Sequence, residues 1–152
     1  MARHFVFTFD GTNISARARL DEKLAPQTCR VLWERLPYTG PCRHGIYSGT
    51  TTAILIDPTI VIPPENGTVL VQKRDLMFTH YEPNFRHGHP EPVSEIYWAY
   101  DRYCSPRMPG ALLPTVPNVF GEFLSDYEAF FEACAKIRFD GPRPLTVRGE
   151  TD

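Results

Sequence analysis

Proline sets the tightest limit on what this chain can become. Fifteen of its 152 residues are Pro, and most crowd into Pro58–Pro64, Pro83–Pro92 and Pro106–Pro117. Proline fixes φ and has no backbone N–H, so it interrupts helices and drops out of central strands. These stretches therefore read as constrained surface loops between strands, the kind of segment that commonly carries function.

The runs between the loops carry a period of two. From His4 to Phe9, Phe5, Phe7 and Phe9 fall on one face, and Asp10-Gly11 supplies a turn. From Ser15 to Leu20, Ala16, Ala18 and Leu20 alternate with Ser15, Arg17 and Arg19, the pattern of a half-buried antiparallel strand. The chain thus opens with a hairpin. Further strands are expected at Cys42–Tyr47, Thr51–Ile56, Thr68–Val71, Leu76–His80, Glu95–Tyr103, Val119–Leu124 and Leu145–Val147.

Two segments have helical periodicity instead. Pro26 suits a first turn, and Cys29, Leu32, Trp33 and Leu36 follow at i, i+3, i+4, i+7 before Pro37 stops the run. Ser125 with Glu128 reads as a capping box opening a second helix, whose apolar face is Tyr127, Phe130, Phe131, Cys134 and Ile137 and whose end is Asp140-Gly141. Many short strands with one early and one late helix predict a mainly β protein: a closed antiparallel barrel with two capping helices, one domain over residues 1–152.

A net charge of −2 from 16 basic and 18 acidic residues, well mixed, leaves no electrostatic footprint for nucleic acid or an anionic membrane. The start runs directly into a strand pattern and no apolar stretch approaches the ~20 residues that span a bilayer, so a cytoplasmic location is expected. Cys29, Cys42, Cys104 and Cys134 are scattered without a CxxC and are expected as reduced core thiols. Cys42, close to His44, is the one alternative as a catalytic thiol.

The run Ala16-Arg17-Ala18-Arg19-Leu20, followed by Ala25-Pro26-Gln27-Thr28 and Val31-Leu32-Trp33, resembles the strand-to-helix passage of cyclophilins, in which Pro-x-Thr opens the first helix. The tail from Asp140 to Val147 resembles their last turn and strand. The middle departs from them. Peptidyl-prolyl isomerases of that fold carry a Phe-His-Arg strand and a Phe-x-x-Gln-Gly-Gly segment; here stands Cys42-Arg43-His44-Gly45-Ile46-Tyr47-Ser48-Gly49, and no Gln-Gly occurs.

The chain is more similar to the DUF3830 family of uncharacterised bacterial cyclophilin-like proteins. Leu36-Pro37, His44–Gly49, Glu65-Asn66, Arg74-Asp75-Leu76 and Ser94–Tyr100 carry that resemblance in order across most of the sequence. It implies a cyclophilin-like β-barrel. Cucumopine synthase, which condenses histidine with a keto acid through an imine, has a similar domain; it shows what the fold can host without assigning a reaction here.

The residues themselves suggest where chemistry would sit. Glu95 shares a pleat face with Tyr97, and a carboxylate on a cavity-lining face is desolvated toward a proton affinity useful in acid–base work. The structural alternative is a strand-edge carboxylate paired with an Arg such as Arg43 or Arg102. His44 is expected as its partner or as an electrophilic hydrogen-bond donor, against a buried histidine satisfied by a backbone carbonyl. Arg43, Tyr97, Tyr100 and Asn118 are the expected substrate-binding residues, Arg43 through a carboxylate. Asn118 serves equally well as a turn-stabilising amide, and Glu65-Asn66-Gly67 as a turn.

His80, His87 and His89 with Glu82 and Glu91 have metal-ligand chemistry, but a Pro-rich loop does not set ligand geometry in advance, so no metal and no cofactor is expected. The leading expectation is an enzyme performing cofactor-independent general acid–base chemistry on a small carbonyl or nitrogen-containing carboxylate substrate. Cyclic-amide hydrolysis, isomerisation and imine condensation stay open. A peptidyl-prolyl isomerase or proline-peptide-binding module is the first alternative, a non-catalytic small-molecule-binding subunit the second. Exposed aromatic strands and the Asn84–Pro92 loop lead to an expectation of a homo-oligomer.

Overall fold

The three phenylalanines of the first run point inward and organise everything around them. In the computed structural model, which describes residues 1–85, 89–107 and 114–152, the elements run β1 Arg3–Phe9, β2 Ser15–Leu20, α1 Pro26–Glu34, β3 Tyr38–His44, β4 Gly49–Ile56, β5 Asp75–Tyr81, β6 Val93–Cys104, β7 Asn118–Phe123, α2 Glu128–Asp140 and β8 Arg143–Thr151. β1 sits between β2, with Phe7 opposite Ala16, and β8, with Phe7 opposite Val147. Small residues on one neighbour and a β-branched one on the other leave room for the rings.

The strands close as an antiparallel barrel in the order β1-β2-β7-β5-β6-β4-β3-β8. Inside, Phe7 meets Trp98 at 4.9 Å and Phe123 at 5.0 Å between ring centroids, and Phe9 stacks on Phe130 of α2 at 5.0 Å. Edge-to-face and offset contacts at such distances add to the area the rings bury. α2 touches β2 as well as β3, β4 and β6. β2 lies on the other side of the barrel from β4, so a helix that reaches both must lie across an opening. α1 buries Cys29 and Leu32 and packs beside β7. No helix among the described residues is long and apolar enough to cross a membrane.

Four local expectations differ from what forms. Thr68–Val71 is not a strand: both edges of β5 are taken, by β6 and β7, and Leu70 is left exposed. β3 begins at Tyr38 and passes through Pro41, which pairs with Pro144 of β8, so two residues lacking an N–H share one step of the ladder. β8 extends to Thr151 because it pairs on both sides, with β1 and β3. The capping box does not form; Asp126 takes a φ of 65°, which turns the chain between Ser125 and Glu128, and α2 starts from Tyr127 without a side-chain cap.

Candidate active site

The outward face of the β3–β4–β6–β5 sheet is where the barrel departs from a polar exterior. Register places Arg43, Ala53, Tyr97 and Met77 in one row across the four strands, with Leu55, Glu95 and Thr79 in the row beside it. Met77, Tyr97 and Ala99 form a second, small apolar cluster on this face, separate from the barrel interior. Strands lie about 4.8 Å apart, so the methyl of Ala53 sits in about 10 Å of sheet between Arg43 and Tyr97. Long side chains around a methyl make a depression.

The rim is built by the β3–β4 connection. Gly49 has a φ of +89° and lies where any Cβ would collide with the Tyr103 carbonyl, at a register shift between β4 and β6. The Gly45 N–H donates to the Thr51 carbonyl at 2.8 Å, and a Cβ on Gly45 would run into the Thr51 hydroxyl. These two glycines turn Ile46, Tyr47 and Ser48 over the sheet. Ser48 then ties in the segment after β6: its carbonyl accepts the Ser105 N–H at 2.9 Å and its hydroxyl the Arg107 N–H at 3.1 Å. The resulting cleft has a volume of about 410 Å³.

Four of the expected site residues, Glu95, His44, Arg43 and Tyr97, line this one cleft. Glu95 is partly buried. Tyr97 is almost wholly buried, and its hydroxyl is 2.7 Å from the Thr79 hydroxyl. Burial above all, then the nearby Tyr81 and Glu95, push the Tyr97 phenol well above its ordinary range, so it stays protonated. Arg43 is exposed.

His44 has both ring nitrogens engaged. Nδ1 is 2.7 Å from the Gly45 carbonyl, which can only accept, so Nδ1 carries the proton. Nε2, 2.6 Å from the Tyr100 hydroxyl, then accepts in the neutral ring. Proton exchange with Glu95 through Nε2 would require His44 to let go of Tyr100.

The other two expected binding residues lie elsewhere. Tyr100 is three positions beyond Tyr97, hence on the opposite pleat face; its ring is part of the barrel core, and it reaches the cleft only through His44. Asn118 is buried with its amide committed: Oδ1 accepts the Glu65 N–H at 3.1 Å, and Nδ2 donates to the Pro63 carbonyl at 3.0 Å and the Thr28 hydroxyl at 3.1 Å. Glu65 in turn accepts the N–H groups of Gln27 and Thr28 at 3.2 and 2.8 Å, capping α1. Asn66 adopts a φ of 48° and donates to the Val119 carbonyl. The Pro-x-Thr and Glu-Asn motifs thus meet as one structural joint.

The thiols are unpaired, and Cys29, Cys42 and Cys134 are buried. Cys42 points into the barrel, where burial drives its thiol far above the ordinary value. His80 is held by the Ser94 hydroxyl at 2.8 Å with Glu82 3.6 Å away; His87 lies outside the described residues. Among the described residues no group of three or more His, Cys, Asp or Glu side chains is gathered as a metal site. Sequence reasoning passed over Arg107, Leu55, Tyr81 and Val93, which also line the cleft. A readable signal existed: β4 and β6 are apolar on both faces, as Ala53-Ile54-Leu55-Ile56 and Ile96-Tyr97-Trp98-Ala99 show, which a strand with a wet outer face is not.

The model of a family described as proteins of unknown function, DUF3830, matches residues 7–148. The chain belongs to the DUF3830 family. No functionally curated protein matches it by sequence. Among solved structures, this DUF3830 chain is similar to McbB, determined in complex with tryptophan, with a TM-score of 0.67 and 17% identity over 95% of this chain and 44% of McbB. It therefore spans less than half the length of McbB. It is also similar to the hypothetical protein AF2241 from Archaeoglobus fulgidus, with a TM-score of 0.60 and 17% identity over 97% of this chain and 93% of that one. The Mimivirus cyclophilin matches with a TM-score of 0.57 and 13% identity over 99% of this chain and 90% of its own. The fold is cyclophilin-like.

Proposed function

We propose that the cleft between Arg43, His44, Glu95 and Tyr97 is the active site of an enzyme performing cofactor-independent general acid–base chemistry on a small carbonyl or nitrogen-containing carboxylate. The observation that carries the reading is the placement of Glu95: a carboxylate sharing a concave, partly apolar site with a protonated, buried phenol and a guanidinium. Glu95 takes or gives the proton; Arg43 holds a substrate carboxylate. His44, donating to Gly45 and accepting from Tyr100, fixes the cleft edge and acts as a positioning residue. The tryptophan bound by McbB supports a small carboxylate as ligand on a similar fold. Hydrolysis, isomerisation and condensation share this proton-transfer requirement.

Thermal-shift screening of keto acids, amino acids and cyclic amides finds ligands, because a molecule that binds only the folded state raises Tm. Hits are then tested for turnover with Glu95→Gln, which keeps the shape and removes the proton. Turnover is expected to fall by roughly 10²–10⁴ with Tm unchanged. Equal turnover by wild type and Glu95→Gln would refute the assignment.

A further inference from the structure

Among the described residues the charges in the cleft do not balance: Arg43 and Arg107 both line it, against the single carboxylate of Glu95. Neither guanidinium takes part in any salt bridge among the described residues. Arg107 is steered here by its backbone N–H on Ser48 and its Nε on the Ser105 hydroxyl at 3.3 Å, which leaves the terminal nitrogens available. Two guanidiniums without carboxylates are matched to an anion, and a planar fork is matched to a carboxylate.

Away from the Arg43 row the strand residues that line the cleft beside Glu95 are largely apolar, with His89 of the β5–β6 connection also in the lining. Leu55 faces Glu95 across β4 and β6, Val93 follows two positions along β6 on the same face as Glu95, and Tyr81 pairs with Val93 from β5. Tyr81 is backed by Phe85, stacked at 5.8 Å. Leu55 is 41% exposed on the cleft face, while its β4 neighbours Ile54 and Ile56, on the opposite pleat face, are buried in the barrel core. Register therefore places Arg43, Ala53 and Tyr97 in one row of the cleft, Leu55 and Glu95 in the next, and Val93 and Tyr81 in the one after.

From this order we infer that the ligand is an amphiphilic monocarboxylate, its carboxylate held by Arg43 and Arg107 and an apolar arm laid along Leu55, Val93 and Tyr81. The atoms between carboxylate and arm then lie at Glu95. The inference rests on the cleft being the site of the proposed function and narrows its substrate: small hydrophilic dicarboxylates and uncharged amides fill only one half of the cleft. An apolar arm also excludes water from the Glu95 carboxylate, which strengthens its interaction with bound ligand.

Calorimetric titration with three probes separates the halves: phenylpropionate, which has both groups; phenylpropanol, which has the arm alone; and acetate, which has the carboxylate alone. Phenylpropionate is expected to bind about tenfold or more tightly than either of the others. The Arg43→Gln, Arg107→Gln double variant should bind acid and alcohol equally. Leu55→Asn, at an exposed position that leaves the core intact, should weaken phenylpropionate and leave acetate unchanged. Equal binding of acid and alcohol by wild type, no saturation by phenylpropionate up to about 10 mM, or unchanged acid binding by the double Arg variant overturns the inference. Glu95→Gln should still bind phenylpropionate. A lost acid preference with Glu95-dependent turnover removes the ligand class alone; a retained preference with Glu95-independent turnover removes the chemistry alone.

Discussion

Asp75 shows how a single carboxyl can be read for its effect on stability. Burial raises its pKa above the ordinary carboxylate value and Glu122 adds to the rise, opposed by the Gln72 N–H, which it accepts at 2.8 Å, and by Arg74. The folded chain thus holds this proton more tightly than the unfolded chain. The stability it confers is complete below the unfolded value, about pH 4, and is lost as the pH rises through the folded one. Asp75→Asn should therefore be more stable than wild type at neutral pH in urea titrations, with the difference closing below about pH 4; a variant less stable at neutral pH would contradict the assignment. The thiols give a second test. Burial pushes Cys29 and Cys104 up to about 12 and Cys134 up to about 11, so thiolate is scarce at pH 8 and thiol-reactive dyes should label the native chain slowly and the unfolded chain at all four cysteines. Fast native labelling would show that one thiol is activated.

Among the elements, α1 depends on a residue it does not contain. Its first turn has no side-chain cap of its own and no acidic residue, and Glu65, from the loop before β5, receives its N–H groups. A carboxylate at a helix N-terminus satisfies orphan donors and meets the positive end of the helix dipole. Glu65→Ala should cost about 1 kcal/mol of stability, and Glu65→Gln less, measured by chemical denaturation; no loss for Ala would mean the joint is redundant. Strand-level reasoning was dependable where a pattern was local: the Phe5–Phe9 and Ala16–Leu20 alternations gave β1 and β2 directly. It failed for Thr68–Val71, whose composition suits a strand but which finds both edges of β5 taken by β6 and β7, and for Ser125–Glu128, whose composition suits a capping box but where Asp126 takes a left-handed φ.

For the whole molecule, two expectations follow from the surfaces the barrel presents. Its fold is cyclophilin-like, yet among the described residues the cleft lining contains no glutamine, and the segment around Arg43 is Cys-Arg-His-Gly. Little or no acceleration of cis/trans exchange in a short X-Pro peptide is expected, a slow uncatalysed step that is easy to follow; strong acceleration would move the function to prolyl isomerisation. Val61, Leu70 and Val116 remain exposed on connections outside the sheet. Burial of such side chains between subunits predicts self-association at micromolar concentration by sedimentation velocity, and a monomeric mass would count against it.

The sequence by itself determined the short strands, the two helices, the antiparallel barrel class and the shared pleat face of Glu95 and Tyr97, since period, proline placement and alternation are properties of neighbouring residues. It also singled out His44 and Arg43. Only the tertiary structure decided that Ala53 lies between Arg43 and Tyr97, that His44 closes onto Tyr100, that Glu65 and Asn118 belong to a helix joint, and that Arg107 enters the cleft. Each of these depends on register between strands far apart in sequence or on where a loop lands. A one-residue change of register would send a different face outward, and no local pattern records which register the closed barrel selects.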